Sequence, residues 1–497
     1  MTNIHLRLLS LLLLTHFANC RNPSVVIVGA GAAGIAAASR LLENGITNVT
    51  ILEAEDRIGG RIHSVKFDDN YVDLGAEWCH GQENNVVYNL VKNFNLLKPI
   101  RETFPNLFHS KANAIDVSFK NELFGIFLNI YNEDRAGSNY SLGEYINKRF
   151  NDTVEKLWSS NSSKLNIARD AIELFEKWVL SYEGAFSWYS IAAESDFVES
   201  EGNQQLSWMG RGYKTILDVL MKKYPDLENS LPIDDKILLN KEVQQIIWNV
   251  SVDDQTKVSV ICSDESNFTA DHVILTVSLG VLKERYKTLI VPSLPEDKVR
   301  AIEDLGFDAV FKVFFRFTNR WWSDTFEGYT FMWSPHDLEK PDMFFEGPVK
   351  NEKSWITSIL AIFPVPGNNN VLEAWFTGEF VPEIELCSNE TLINGFMYLM
   401  SRFDVCDFRD LIRPESLIRD TWYSNPHFKG TYSYQTVKSR VGDRSKAFVL
   451  SEPLGPHPGN LSLLFAGEAT HPTQFSTVHG AIDSGFREAD RLLKIYK

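Results

Sequence analysis

The pattern of apolar and polar residues predicts a protein of mixed strands and helices. Near the N-terminus, the apolar run Val25–Val28 predicts a buried strand, residues 35–42 a helix, and Val49–Leu52 a second strand. A strand, a helix and a strand in this order form a βαβ unit with two parallel strands. Further strands are predicted at residues 237–239, 243–248, 258–262, 272–277, 311–317 and 372–376.

Helical periodicity replaces strand alternation in the middle of the chain, from about residue 93 to residue 223. Helices are predicted there at residues 126–131, 142–150 and 168–180, and later at residues 389–403 and 487–496. The sequence contains no internal repeat or low-complexity tract. Strand-rich segments therefore flank a helical middle, which indicates domains that interleave along the chain.

Length, composition and charge exclude several classes of protein. The chain has 497 residues, of which 44% are apolar and 23% charged. This length suggests about two to three domains, and the composition excludes a disordered, collagen-like or disulfide-dense small protein. The 49 Lys and Arg residues against 65 Asp and Glu residues give a net charge of −16. Nucleic-acid binding is not expected because phosphate repels so acidic a chain, whereas cationic partners suit it.

The first twenty residues have the layout of a secretory signal peptide. Arg7 precedes an apolar run at residues 8–14, and the stretch Ala18-Asn19-Cys20 predicts cleavage after Cys20. The run is shorter than the ~20 apolar residues that a membrane span needs, and no later stretch is long and apolar enough. We therefore expect a secreted protein or a protein of the secretory pathway. An uncleaved anchor or a disordered leader are the alternatives.

Eight Asn-x-Ser/Thr sequons are compatible with N-glycosylation in that pathway, although several should occur by chance. They lie at Asn48, Asn139, Asn151, Asn161, Asn249, Asn267, Asn389 and Asn460. Of the cysteines that remain after cleavage, Cys387 and Cys406 flank the helix predicted at residues 389–403. That helix is ~20 Å long, whereas disulfide-bonded Cα atoms lie within ~7 Å, so free buried thiols are expected.

A glycine-rich turn carries the main chemical signal. Gly29, Gly31 and Gly34 directly follow the first predicted strand and open the predicted helix together with Ala33. Glu53 ends the next strand, 19 residues past Gly34, which completes the fingerprint of a dinucleotide-binding βαβ unit. The glycines permit a tight turn and a close approach to a pyrophosphate at the helix N-terminus, and the carboxylate can bind ribose hydroxyls. A coincidental Gly/Ala-rich turn is the alternative.

Beyond this turn the sequence resembles the flavin-containing amine oxidases, which include monoamine, polyamine, spermine and L-amino-acid oxidases. The resemblance is seen in Glu53-Ala-Glu-Asp-Arg-Ile-Gly-Gly-Arg61 and Val72-Asp-Leu-Gly-Ala-Glu-Trp78, and it recurs at residues 270–283 and 464–470. It implies an α/β (α+β) fold in which a Rossmann-type FAD-binding domain interleaves with a substrate-binding domain of mixed sheet and helices. We place the FAD-binding domain at residues 21–100, 228–300 and 445–497, and the substrate-binding domain at residues 101–227 and 301–444.

The resemblance also implies how FAD is held. Thr431 stands where monoamine oxidases carry a cysteine bonded to the flavin, so the FAD is expected to be non-covalent. Arg61 would neutralise the diphosphate, Val243 would offer backbone groups to adenine, and Glu468 would bind the ribityl–phosphate region. The other expected cofactor-binding residues are Gly29, Gly31, Ala33, Gly34, Glu53, Ala76, Glu77, Trp78, Thr477 and Val478. No metal is expected.

The same resemblance assigns the substrate side of the site. His80 falls where polyamine oxidases contact the substrate amine, and Lys312 falls where a lysine holds a water against flavin N5. Tyr432 would form an aromatic wall over the flavin, and Ser476 is a candidate substrate contact. The plainer interpretations are a packed histidine, a solvated strand cation and a core aromatic.

An acidic run lies just before Trp208, in the region where the resemblance is weakest. It contains Glu194, Asp196, Glu199 and Glu201. These carboxylates, Glu199 and Glu201 among them, would steer a polycation into the site, or they form an ordinary solvated loop.

The implied function is a secreted FAD-dependent polyamine oxidase that acts on spermine, spermidine or their N1-acetyl forms. The amine loses a hydride to the flavin, and O₂ is the final acceptor, which yields an aminoaldehyde, a shorter amine and H₂O₂. An L-amino-acid oxidase is the alternative within the family, and the lack of an arginine motif near His80 argues against it. A catalytically silent flavoprotein is the alternative from another class, and the presence of Lys312 argues against that. The preferred polyamine and the oligomeric state stay open.

Overall fold

A computed structural model describes residues 22–100, 105–111, 113–252, 255–338, 346–405, 411–440, 444–457 and 460–496. The predicted signal peptide at residues 1–20 and Cys406 lie outside the described residues. Within the described ranges, none of the helices is sufficiently long and apolar to cross a membrane. Cys79, Cys262 and Cys387 are free cysteines.

The strands of the described residues are, in chain order, β1 (Val25–Val28), β2 (Val49–Leu52), β3 (Ser64–Phe67), β4 (Asn70–Asp73), β5 (Lys98–Pro99), β6 (Asn106–His109), β7 (Asn113–Ala114), β8 (Leu206–Ser207), β9 (Ile237–Leu238), β10 (Val243–Val252), β11 (Gln255–Cys262), β12 (Asn267–Ala270), β13 (His272–Leu275), β14 (Ile290–Val291), β15 (Gly306–Asp308), β16 (Phe311–Arg316), β17 (Tyr329–Met332), β18 (Val349–Lys350), β19 (Lys353–Ser354), β20 (Ile359–Pro364), β21 (Val371–Phe376), β22 (Ser416–Arg419), β23 (Tyr432–Tyr434) and β24 (Leu463–Phe465).

The α-helices of the same ranges are α1 (Ala32–Glu43), α2 (Val86–Val91), α3 (Val117–Tyr131), α4 (Leu142–Trp158), α5 (Ser162–Glu183), α6 (Thr215–Leu220), α7 (Leu279–Leu289), α8 (Glu296–Asp304), α9 (Pro335–Leu338), α10 (Val381–Ile384), α11 (Asn389–Arg402), α12 (Lys446–Ser451) and α13 (Val478–Tyr496).

The first sheet is parallel and contains the predicted βαβ unit. Its five strands lie in the order β24-β13-β1-β2-β9, and Val25 of β1 lies opposite His272 and Val49 of its two neighbours. All four residues of β1 are buried, because a parallel sheet is covered on both faces and its central strands are apolar on both sides. Helices α1 and α13 pack in one apolar core beside this sheet.

The second sheet forms the core of the other half of the molecule, in the order β22-β16-β21-β20-β17-β6-β7. Strand β16 pairs antiparallel with β21 and β22, and Lys312 of β16 lies opposite Trp375 of β21. Helices α3, α4 and α5 pack on this sheet through an aromatic core that includes Phe124, Phe150 and Phe175. These helices contact β17 and β20, which lie next to β21 in the sheet. Strands β16 and β21 reach the candidate site.

A short antiparallel pair, β15 with β23, lies beside the second sheet. Gly306 lies opposite Tyr434, and Asp308 lies opposite Tyr432. A Cβ at Gly306 would lie 2.2 Å from the Tyr434 ring, so only glycine allows this close approach. The pair places Tyr432 near the start of β16.

The predicted α/β fold class is confirmed, and β1 and β2 have the predicted bounds. Helix α3 begins at Val117 rather than at residue 126, and α5 begins at Ser162 rather than at residue 168. Within residues 206–221, Trp208, Tyr213 and Ile216 pack in the core around α1 and not with the second sheet. The domain boundaries stay predictions.

Candidate active site

The glycine-rich turn forms an open cradle at the N-terminus of α1. Gly29 has a φ of +108°, and a Cβ there would lie 2.5 Å from Oγ1 of Thr276. A Cβ at Gly34 would lie 2.0 Å from the carbonyl oxygen of Gly29, so the helix packs on the turn only without a side chain. At Gly31, by contrast, the nearest atoms would be 3.9 Å away. A side chain at Gly31 would therefore make ordinary contacts only, and Gly31 gives the N-terminus of α1 no side-chain cap.

Glu53 lies just after β2 and supports the cradle from behind. Its carboxylate accepts hydrogen bonds from the N–H of Ala30 at 2.6 Å and from the N–H of Glu55 at 2.9 Å. Burial raises the pKa of Glu53, and these two N–H groups oppose the shift. The acid that the sequence assigns to ribose therefore also fixes the conformation of the glycine-rich turn.

Glu468 joins three segments of the site. The residue is 5% exposed, and its Oε1 accepts a hydrogen bond from Nη1 of Arg61 at 2.9 Å. Its Oε2 accepts from the hydroxyl of Ser433 at 2.6 Å and from the N–H of Ser476 at 2.8 Å. Arg61 also donates to the carbonyl oxygen of Thr431 at 2.7 Å. A buried carboxylate with this many donors is stable only while all of them are present.

Lys312 is a buried cation of the second sheet. It is the second residue of β16 and is 5% exposed. Its Nζ lies 2.8 Å from Oε2 of Glu77 and 3.1 Å from Oε1 of Glu373. Burial alone would lower the pKa of Lys312, but the carboxylates of Glu373 and Glu77 outweigh burial and raise the pKa. Lys312 is therefore a buried ammonium ion and not a solvated strand cation.

His80 lies three residues beyond Glu77, after the half-buried Trp78. Its Nδ1 lies 2.7 Å from the carbonyl oxygen of Gln204, so in the neutral ring Nδ1 carries the proton and Nε2 is an acceptor. The ring is accessible to solvent, yet the protein around it desolvates it enough to lower the pKa of His80. The bond to Gln204 and the charge of Glu77 act in the other direction. A neutral histidine of this tautomer can accept a hydrogen bond from an amine.

Tyr432 and Ser476 lie on the two sides of Ser433. The Tyr432 hydroxyl donates to the carbonyl oxygen of Ser181 at 2.6 Å, and a Cβ at Gly184 would lie 2.5 Å from its ring. Ser476 has a φ of +66°, and its hydroxyl donates to the carbonyl oxygen of Ser433. The hydroxyl oxygen of Ser476 can therefore still accept a further hydrogen bond.

The last helix begins at the predicted flavin contacts. Oγ1 of Thr477 accepts from the N–H of Gly480 at 2.9 Å and donates to the carbonyl oxygen of Gln474 at 2.7 Å. This bond caps α13, whose first residue is Val478. The positive end of the helix dipole lies at these residues.

Two further predicted cofactor-binding residues lie next to those described above. The N–H of Ala76 donates to the carbonyl oxygen of Arg61 at 3.1 Å. Val243 begins β10, and the N–H of Lys241, two residues earlier, donates to the carbonyl oxygen of Glu53 at 2.7 Å. Ala33 is buried in the first turn of α1. The structure thus brings the cofactor-binding candidates from distant segments close to the glycine-rich turn.

Two acids of the acidic run pair with an arginine, and the other two are exposed at the surface. Glu194 and Asp196 both form ion pairs with Arg440. Glu199 and Glu201 are exposed. The first pair of acids is therefore largely neutralised, and the second pair lies at the surface.

The segment that carries Glu199 and Glu201 is attached to the segment of His80. The N–H groups of Gln82 and Glu83 donate to the carbonyl oxygen of Glu201 at 2.7 Å and 3.1 Å. Together with the bond between His80 and the carbonyl of residue 204, these contacts hold the acidic segment beside the histidine. The exposed acids of the run therefore lie close to His80 along connected backbone.

The sequence analysis missed three acids near this site. Glu373 of β21 is 2% exposed. Asp73 ends β4 and accepts from the N–H of Tyr213 at 2.9 Å, and burial raises the pKa of Asp73 to about 7. Glu183 lies 3.3 Å from the hydroxyl of Tyr131. A usable signal existed for Glu373, because a charged residue inside an apolar strand is almost never buried without a partner.

A glycine cradle on a parallel βαβ unit, a buried lysine and a neutral histidine define a redox protein with a dinucleotide cofactor. The lack of a side chain at Gly31 and the uncapped N-terminus of α1 fit the pyrophosphate of such a cofactor. A narrow cavity lined by Arg61, Val277, Phe465 and Glu468 lies between the first sheet and the segment that precedes α13. The residues present therefore fit a long dinucleotide such as FAD.

Comparison with known proteins assigns the family. The sequence profile described as "Flavin containing amine oxidoreductase" matches residues 32–493. The chain therefore belongs to the flavin-containing amine oxidoreductases, it is an enzyme of that family, and its cofactor is FAD. The predicted resemblance is confirmed at this level.

Relatives of this chain are found in animals and plants. It is 29% identical over 511 residues to the "Peroxisomal N(1)-acetyl-spermine/spermidine oxidase" of Homo sapiens, with 95% of both chains covered. It is 28% identical over 557 residues to "Probable polyamine oxidase 5" of Arabidopsis thaliana, which covers 95% of this chain and 98% of the relative. A solved double mutant of putrescine oxidase has a similar fold, with a TM-score of 0.62, 18% identity, and 95% and 99% of the two chains covered.

Proposed function

We propose that this amine oxidoreductase is a polyamine oxidase that acts on spermine, spermidine or their N1-acetyl forms. The observation that carries the proposal is the attachment of the exposed acids Glu199 and Glu201 to the backbone that holds His80. A polyamine carries several positive charges, and carboxylates outside the reacting centre can bind the amines that do not react. The names of the human and Arabidopsis relatives support the same substrate class.

The amine must lose its proton before it reacts. The reacting carbon gives up a hydride and the nitrogen a proton, which yields an imine that water hydrolyses to an aminoaldehyde and a shorter amine. When bound, FAD supplies the hydride acceptor, and O₂ takes the two electrons and becomes H₂O₂. Because Nδ1 of His80 binds the carbonyl oxygen of Gln204, Nε2 is the acceptor that receives a hydrogen bond from the amine and favours its neutral form.

Other residues bind and orient the ligands. The N-terminus of α1 and Arg61 hold the diphosphate, Glu53 the ribose, and Glu468 fixes the segments around the flavin. The FAD is non-covalent, because Thr431 provides no thiol. Tyr432 forms an aromatic wall, and the ammonium of Lys312 supplies positive charge beside the reacting centre.

An L-amino-acid oxidase would need a free cation for the substrate carboxylate. Two arginines near these segments, Arg61 and Arg440, already pair with Glu468 and with Glu194 and Asp196, respectively. A free amine without a carboxylate is therefore the better substrate for this site.

We further propose that the protein is exported and N-glycosylated. Seven sequon asparagines are exposed, and Asn151 is half-buried in α4 with its Nδ2 donating to the carbonyl oxygen of Asn147 at 2.8 Å. Expression in a eukaryotic cell line, with N-terminal sequencing and a glycosidase mobility shift of the secreted product, tests this. Export with Arg21 as the first residue supports it, and unglycosylated protein retained inside the cell contradicts it.

The substrate test presents the purified holoenzyme with spermine, spermidine, N1-acetylspermine, tyramine and leucine, and measures peroxide and the aldehyde formed. We expect turnover of at least one polyamine, with the double variant Glu199→Gln, Glu201→Gln raising KM for polyamines more than for tyramine. The exposed Glu228→Gln is the matched control, because it removes an acid away from this segment. Turnover of leucine alone would overturn the proposal.

A further inference from the structure

Lys312 lies between two carboxylates from different parts of the chain. Its Nζ donates a hydrogen bond to Oε2 of Glu77 at 2.8 Å. Oε1 of Glu373 lies within ion-pair distance, 3.1 Å, but has no aligned hydrogen-bond donor among the described residues. Glu77 therefore accepts a hydrogen bond from the ammonium ion, whereas Glu373 is its neighbour at ion-pair distance.

The pairing of β16 and β21 explains this arrangement. Lys312 lies opposite Trp375, and Glu373 lies opposite Phe314, so Lys312 and Glu373 are diagonal neighbours on paired strands. Long side chains reach across such a diagonal. The Nζ of Lys312 also lies 5.0 Å from the ring centre of Trp375 and 5.3 Å from that of Phe314. The aromatic rings exclude water from the ammonium ion.

The charges in this pocket do not balance if every group is ionised. Glu77 and Glu373 form ion pairs with Lys312, Asp73 is close enough for its charge to act on Lys312, and all four side chains are at least nine-tenths buried. Three carboxylates and one ammonium would leave two uncompensated negative charges out of contact with water, which is costly. The cluster lowers this cost by keeping a proton on a carboxylate.

Glu373 is the carboxyl group best placed to keep a proton. Burial raises the pKa of Glu373 far above its ordinary range, and the neighbouring charge of Glu77 adds to the rise while Lys312 opposes it. The carboxyl groups of Glu373 and Glu77 are neighbours, because both lie against the same Nζ of Lys312. Glu77, in contrast, accepts the aligned bond from Lys312. Asp73 accepts hydrogen bonds from Ser64 and from the N–H of Tyr213.

We propose that Glu373 is a neutral carboxylic acid that donates to the Glu77 carboxylate, and that this acid–carboxylate pair positions the Lys312 ammonium for amine oxidation. Glu77 carries the negative charge, and Glu373 fixes the orientation of Glu77. One N–H of Lys312 is then used by Glu77, which leaves others to point toward the reacting centre. Glu373 is thus a positioning residue, and the inference rests on the proposed role of Lys312.

Two isosteric substitutions test the role of the neutral acid Glu373 and that of the carboxylate Glu77 separately. Glutamine resembles a protonated glutamate, so Glu373→Gln should keep bound FAD and should slow flavin reduction far less than Glu77→Gln does. Glu77→Gln removes the anion and should slow flavin reduction by about a hundredfold, because the ammonium loses its position. Glu77→Asp keeps the negative charge on a shorter side chain. We expect this variant to fold, with a rate of flavin reduction between those of Glu373→Gln and Glu77→Gln. Glu415→Gln is the control, since it removes an exposed partner of Arg316 on the same strand.

Infrared spectra of the holoenzymes provide a readout that needs no substrate. At a pH above the Asp73 pKa of about 7, the difference spectrum between the wild type and Glu373→Gln should show the loss of a carboxylic-acid C=O band, and the difference between the wild type and Glu415→Gln should not. Loss of a carboxylate band instead, or equal slowing by Glu373→Gln and Glu77→Gln, would overturn the inference. If the acid band behaves as expected but no amine is oxidised, the proton assignment stands and the proposed function fails.

Discussion

Arg61 and Glu468 are 407 positions apart in the chain, and their side chains form a direct ion pair with Nη1 and Oε1 separated by 2.9 Å. The pair connects the segment after the glycine-rich turn with the segment before α13. Ser433 and Ser476 donate to the second oxygen of the same carboxylate. Three chain segments that surround the proposed flavin site therefore depend on one buried acid.

Glu468→Ala should lower the free energy of unfolding by about 3–5 kcal/mol, because it leaves Arg61 without its partner in a buried setting. The variant should also lose FAD on gel filtration, as seen from the ratio of flavin to protein absorbance. Glu415→Ala is the control, since the exposed Arg316–Glu415 pair should contribute about 0–1 kcal/mol. Equal effects of the two substitutions would contradict this account of Glu468.

Gly31→Ala and Gly34→Ala should separate cofactor binding from folding. A Cβ at Gly31 has 3.9 Å of room, so the apoprotein should fold with its normal unfolding midpoint but bind FAD more weakly. A Cβ at Gly34 would lie 2.0 Å from a carbonyl oxygen of the turn, so this variant should lose stability with or without FAD. Titration of apoprotein with FAD and urea unfolding measure the two effects. An unchanged FAD affinity of Gly31→Ala argues against the cradle.

Lys312→Met should slow flavin reduction or reoxidation by about a hundredfold or more while FAD remains bound, because a fixed positive charge beside the reacting centre is lost. Stopped-flow spectra of the flavin under anaerobic and aerobic mixing distinguish the two half-reactions. Lys350→Met is the control, since it removes a lysine that pairs with Glu383 at the surface. Wild-type rates in Lys312→Met would remove Lys312 from the catalytic site.

Asp73→Asn should stabilise the protein progressively as the pH rises. Burial raises the pKa of Asp73 to about 7, above the value of 3.8 for a free aspartate. The folded state therefore binds more protons than the unfolded state in that interval, and the contribution of Asp73 to stability is lost as pH rises through about 7. The groups that face Asp73 are Ser64, the N–H of Tyr213, Glu77 and Lys312.

Asparagine keeps an oxygen that accepts from Ser64 and Tyr213 but does not ionise. Urea midpoints of the wild type and Asp73→Asn should separate in favour of the variant as the pH rises from about 4 to about 7, and the difference should stay constant above that. The exposed Asp235→Asn is the control. A difference between wild type and Asp73→Asn that is independent of pH would contradict the raised pKa.

Local chemistry explains which parts could be predicted from the sequence. A tight turn that needs Gly29, Gly31 and Gly34 leaves a fixed spacing in the chain, and apolar runs such as Val25–Val28 predict buried strands without reference to distant residues. Lys312 and His80 were found through the order of longer motifs. The starts of two helices were not predicted, because Val117 and Ser162 begin their helices among polar residues, before the apolar periodicity becomes regular.

The sequence by itself determined the βαβ unit, its glycine-rich turn and the membership in the amine oxidoreductase family. Only the tertiary structure decided that residues 206–221 pack around α1, that Arg440 neutralises part of the acidic run, and that Glu373 reaches Lys312. The physical reason is distance along the chain. Burial and charge balance depend on which strands and segments meet in space. Lys312 and Glu373 are 61 positions apart in the chain. No local pattern encodes that meeting, because the pairing of β16 with β21 creates it.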